Sequence, residues 1–136
     1  MRQLCKFAKF YRRFPAFTAT AVVLLAILYL TLAPHPLPDT DMPLFPHADK
    51  AVHAAMFFGL AFVALADLRL CRRRRLGTGV CIAVAVASAA LGGGIELLQH
   101  AMGMGRGADW FDFAADAIGA FIAFIGWRLS ALSVIN

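Results

Sequence analysis

Charge is what this sequence lacks most. Charged residues make up 15% of 136 positions, hydrophobic ones 61%, and the mean hydropathy is +0.72. A water-soluble domain of this length needs far more polar surface, so the composition excludes that class and points to a single integral membrane domain. Two stretches, Phe14 to Ala33 and Leu76 to Ile95, contain no charge at all. Each is about as long as the roughly 20 residues that cross a bilayer core of about 30 Å. Cysteine is also scarce. Cys5 and Cys71 fall on the basic side of the chain and Cys81 early in an apolar run, so no disulfide is expected. No internal repeat, low-complexity segment or tight metal motif such as HExxH is present.

Two further apolar runs carry polar groups at one end: Ala51 to Ala66 holds His53, and Phe111 to Trp127 holds Asp112 and Asp116. The expected fold is therefore all-α, an integral membrane four-helix bundle with spans near residues 14–33, 50–68, 76–99 and 109–130. The first run is longer than a signal-peptide core, and Pro34 follows its weak cleavage-like triplet, so it is read as an uncleaved helix.

The few charges are sorted by sign. Arg2, Lys6, Lys9, Arg12 and Arg13 precede the first span, Arg69 and Arg72 to Arg75 lie between the second and third, and Arg128 ends the fourth. Only Lys50 and Arg106 fall on the other side, so the positive-inside rule puts both termini in the cytoplasm. The basic excess thus reflects topology rather than nucleic-acid binding, which needs a basic face on a soluble fold. Of the acids, only Asp67 sits near the inner side. Asp39, Asp41, Asp49, Glu96, Asp109, Asp112, Asp116 and all four histidines lie outward.

Between these features lie two segments of simpler character. Residues 1–13 fit either a short interfacial helix or a frayed basic tail. Residues 34–48 hold five of the six prolines and read as a stiffened connector, with Leu44 and Phe45 as the alternative, a cap over the polar groups.

Spacing brings the outward groups together. Asp49 and His53 are one helical turn apart. Ser88, Gly92, Glu96 and Gln99 form one stripe in the third span, with His100 one turn beyond Glu96. Asp109, Asp112, Asp116, Gly119, Ala123 and Gly126 form one seam in the fourth, acidic in its outer half and small in its inner half. Gly92-Gly93-Gly94 is unfavourable in a helix unless a neighbour comes close or the helix unwinds. A buried Asp costs about 2.5–3.5 kcal/mol at a membrane helix centre, so these acids must be protonated, paired or open to water. Arg106, in a Gly-rich turn, is the expected partner because its fork can bridge two carboxylates.

The expected pocket comprises Asp49, Lys50, His53, Glu96, Gln99, Arg106, Asp109, Asp112 and Asp116. Three readings remain open: a ligand pocket facing the outer leaflet, a metal site, or an ion-pair network that fixes helix register. His53, Glu96, His100, Asp112 and Asp116 include usable metal ligands, but their loose spacing assigns no metal, and no cofactor is expected. Ser88 has no matching histidine for covalent catalysis. If the chain is an enzyme, a hydrolase or transferase acting on a lipid, His53 or Glu96 is the acid/base.

The set Asp49-Lys50-x-x-His53, Glu96-x-x-Gln99 and Arg106-x-x-Asp109-x-x-Asp112-x-x-x-Asp116-x-x-Gly119 resembles the signature of the VanZ-like family of small bacterial membrane proteins, over residues 49–126. That family commonly has Asn where Asp116 stands here. The resemblance implies a multi-pass protein of the bacterial cytoplasmic membrane. The family's founding member is associated with low-level teicoplanin resistance. Membrane lipids, a lipid-linked cell-wall precursor or a glycopeptide-like ligand are the partners this implies. In this reading Arg106 and Lys50 take the ligand's anionic part, and the acids orient Arg106 or accept donors from an amine or sugar.

Overall fold

A computed structural model describes residues 15–33, 48–72, 74–103 and 109–133. The expectations for residues 1–13, for the proline-rich connector, for Arg106 and for its glycine-rich turn lie outside these residues. The described chain is all-helical: α1 (Thr18–Leu32), α2 (Ala48–Arg72), α3 (Thr78–Met102) and α4 (Trp110–Ser133). Helices α2, α3 and α4 are long and apolar enough to cross a membrane. Helix α1 has 15 residues, which at 1.5 Å per residue is about 22 Å, short of a bilayer core. Of the expected span 14–33, residues 18–32 form this helix among the described residues.

The outward faces are apolar, as lipid-facing helices require. Leu97, Leu98, Ile118, Ile122, Ile125 and Leu129 are all exposed. Trp110 and Phe111, also exposed, open α4 beside the polar groups, where aromatic side chains suit a membrane–water boundary.

The tightest pair is α2 with α4. Its closeness depends on small residues. The carbonyl oxygen of Ala54 occupies the space that a Cβ on Gly119 would need, and Ala61, Ala120 and Ala123 continue the contact inward. The seam read from sequence ends there, since Gly126 is exposed. A second cluster, Ile27, Phe57, Leu60 and Ile95, joins α1, α2 and α3. A third, Leu65, Leu76 and Cys81, closes the end of the bundle away from Glu96, Asp109 and Asp112. In a bilayer these contacts hold by dense packing, because lipid is as apolar as the core.

Helix α1 rests on α2 and α3 and makes no comparable contact with α4 among the described residues. Side chains from its neighbours tie down both its ends. Asp67 of α2, 1% exposed, accepts hydrogen bonds from the Thr20 backbone N–H (3.0 Å) and hydroxyl (2.5 Å), satisfying a donor in the first turn. Gln99 of α3 donates from Nε2 to the Thr31 carbonyl at 2.7 Å, satisfying an acceptor in the last turn.

The run Gly92-Gly93-Gly94 does not unwind α3; the helix is unbroken from Thr78 to Met102. Gly103, with φ 62°, stops it in the left-handed conformation that glycine tolerates best.

Candidate functional site

The start of α2, the end of α3 and the start of α4 meet at one end of the bundle, and the polar residues meet there. Asp109 makes this junction. As the residue before α4, it accepts the Phe111 N–H on its side chain (2.8 Å) and the Asp112 N–H on its carbonyl (3.0 Å), which starts the helix. Its own N–H donates to Glu96 Oε2 at 3.0 Å, pinning α4 to α3.

Lys50 reaches across from α2. Its Nζ lies 3.0 Å from Asp49, 2.9 Å from Asp109 and 2.8 Å from Asp112. An ammonium has three protons, so the head of Lys50 is fully engaged by carboxylates. This hydrogen bond from Lys50 is the main reason that the Asp109 carboxyl lies below its ordinary value, with the Phe111 N–H second. Asp49 shares a turn with His53 but stands exposed at the rim, and the lysine folds back to it.

Deeper in, His53 Nδ1 sits 3.0 Å from Asp116 Oδ1. Asp116 is 1% exposed and fits only because position 92 has no side chain: a Cβ there would lie 2.5 Å from Asp116 Oδ2. Gly93 likewise admits the Phe113 ring, at 3.2 Å from such a Cβ. The glycine run therefore accommodates α4. His53 Nε2 points the other way, 4.0 Å from Asp112 Oδ2, too far for a hydrogen bond.

Glu96 is 5% exposed, and its Oε1 is buried with no hydrogen-bond partner among the described residues. Leaving such an oxygen unpaired costs about 1–3 kcal/mol, and more if it is charged. One ligand atom each from His53, Glu96 and Asp112 lies within 4.8 Å of the other two.

Of the nine expected pocket residues, Asp49, Lys50, His53, Glu96, Asp109, Asp112 and Asp116 are thus gathered at one place. Gln99 is one turn from Glu96, but its amide nitrogen is committed to α1. Arg106 lies outside the described residues. His100 is exposed and takes no part. Sequence reading passed over Asp67, although a single acid inside the apolar run Ala61-Phe62-Val63-Ala64-Leu65-Ala66 to Leu68 was a visible sign of a buried partner.

Together the described residues define an all-helical fold with three helices fit to cross a membrane and a carboxylate-rich site at one end of them. Comparison with protein-family models, curated proteins and solved structures gave no match.

Proposed function

We propose that the chain is a VanZ-like multi-pass protein of the bacterial cytoplasmic membrane, with α1 and the uncharged residues flanking it, 14–33 in all, as a fourth crossing and both termini in the cytoplasm. Its carboxylate-rich pocket faces the outer leaflet and binds a lipid-linked or amphipathic envelope ligand. Support for the orientation comes from charge: Arg69, Arg72, Arg74, Arg75 and Arg128 lie toward the end of the bundle opposite the acids.

One observation carries the ligand assignment. Five carboxylates, on Asp49, Glu96, Asp109, Asp112 and Asp116, face one ammonium and one imidazole. Among the described residues the pocket is short of positive charge, and Lys50 has no proton left for an anion. The expectation that Lys50 takes the ligand's anionic part is therefore replaced. The group that enters is the amine or sugar end of the ligand, which brings positive charge or N–H and O–H donors.

The test uses protein in nanodiscs containing equal phosphatidylethanolamine and phosphatidylcholine of matched chains. Native mass spectrometry is expected to find the primary amine lipid retained, and the preference lost in Asp112→Asn. Equal retention of both lipids by the unaltered protein refutes the amine assignment. Appearance of cleaved or transferred lipid products, abolished by His53→Ala, would instead establish the lipid-acting enzyme.

A further inference from the structure

We propose that His53, Glu96 and Asp112 form a site for one divalent transition-metal ion, with Asp116 as the residue that positions His53. This inference draws on the same carboxylate-rich site as the amine assignment, and the assay below reads the two apart.

The three side chains share one pattern: in each, one polar atom is held by the protein and the other makes no hydrogen bond within the cluster. His53 is held at Nδ1 by Asp116, 3.0 Å away. A carboxylate can only accept, so Nδ1 carries the proton, and in the neutral ring this leaves the Nε2 lone pair free for a cation. Glu96 is held at Oε2 by the Asp109 N–H, while Oε1 is buried with no partner among the described residues. Asp112 is held at Oδ1 by Lys50 at 2.8 Å, and its Oδ2 faces His53 Nε2 across 4.0 Å. That separation is too long for a hydrogen bond and suited to a shared third atom.

The ligand atoms come from three helices and lie within 4.8 Å of one another. An ion with bonds of about 2.0–2.2 Å requires them to draw in by roughly an ångström, within the reach of side-chain rotation. A cation would satisfy the orphaned oxygen of Glu96 and offset the excess of carboxylates together. The carboxylate on the far nitrogen of His53 is the arrangement that orients metal-binding imidazoles. One nitrogen with two carboxylate oxygens favours Zn²⁺ or Mn²⁺, whereas Mg²⁺ and Ca²⁺ favour oxygen alone. Three protein ligands leave positions open for water or a substrate oxygen. The absence of a tight sequence motif does not count against such a site, because each ligand sits on a different helix.

The experiment takes the full chain in detergent, strips it with a chelator, equilibrates it with Zn²⁺ or Mn²⁺ and measures retained metal by elemental analysis after desalting. The expected result is one ion per chain for the unaltered protein and background for His53→Ala and Glu96→Gln. His100→Ala should keep the ion. Asp116→Asn should reach full occupancy with affinity lowered about 10–100-fold, as loss of an orienting partner does. Helix content and a single elution peak confirm that each variant is folded. The proposal is overturned if the unaltered protein retains no stoichiometric metal, or if His53→Ala and Glu96→Gln retain as much as it does. Uptake by Arg106→Ala alone would overturn it too, since the guanidinium would then fill the place assigned to the ion. No lipid ligand enters the assay, so failure of the amine assignment and failure of the metal site are read separately.

Discussion

His53 Nδ1 and Asp116 Oδ1 lie 3.0 Å apart across the α2–α4 contact, and Asp116 is held there because α3 offers a glycine at position 92. A residue on the third helix thus decides whether a pair on the other two can form. Gly92→Ala puts a methyl group where Asp116 now packs. The expected loss is about 1–3 kcal/mol of stability, as in other overpacked cores, read as a lower thermal midpoint in detergent. An unchanged midpoint would contradict the packing.

The α2–α4 contact makes a parallel prediction with a built-in control. A Cβ at Gly119 meets the Ala54 carbonyl, which belongs to the backbone and cannot rotate aside. Gly119→Ala is expected to cost about 1–3 kcal/mol or more. Gly59→Ala, also within a helix but with nothing within 4 Å of its Cβ, should change stability by no more than about 1 kcal/mol, with any change favourable. Equal effects in thermal denaturation would refute the close approach.

Lys50 sets the acid limit of the fold. The Asp109 carboxyl is depressed below its ordinary 3.8, chiefly by Lys50. A carboxyl with a depressed folded value binds fewer protons folded than unfolded. Its contribution is therefore complete above the ordinary value and is lost as pH falls through the depressed one. The thermal midpoint should decline below about pH 4. In Lys50→Gln, which removes the largest cause, the decline should be shallower from a lower starting midpoint. An acid limb of the same steepness in the variant would disprove the assignment.

Helix α1 depends on borrowed partners at both ends. Asp67→Ala strands the Thr20 N–H, and Gln99→Leu strands the Thr31 carbonyl. Each should cost about 1–3 kcal/mol. Hydrogen exchange should speed up in α1 well before α2 or α4. Uniform acceleration across all four helices would show that α1 is not separately anchored.

Much of the architecture was legible because it rests on periodicity and on sorting of charge. The apolar runs at 51–66, 76–95 and 111–127 became α2, α3 and α4, each extended by a few residues at one or both ends. The sorting of acids and histidines to one side of the chain put His53, Glu96 and Asp112 at the same end of their helices. The spacing of Asp109, Asp112 and Asp116 revealed a shared face. What spacing cannot encode is which atom meets which across helices. Lys50 gathering three carboxylates, Gln99 turning to α1 and Asp67 holding Thr20 are choices among partners that only packing makes. The glycine run was ambiguous for the same reason: its fit to Asp116 and Phe113 lies in α4, not in its own sequence.

The central claim is that this end of the bundle keeps a buried carboxylate unsatisfied in order to bind something, rather than to lock the helices. Glu96→Gln measures it most directly, because the amide oxygen can still accept the Asp109 N–H while the orphaned carboxylate oxygen is removed. The thermal midpoint of the stripped protein should hold or rise, as it does where function is relieved of its cost to stability. A marked fall in that midpoint, in a protein otherwise unchanged, would mean that the cluster is a structural clamp.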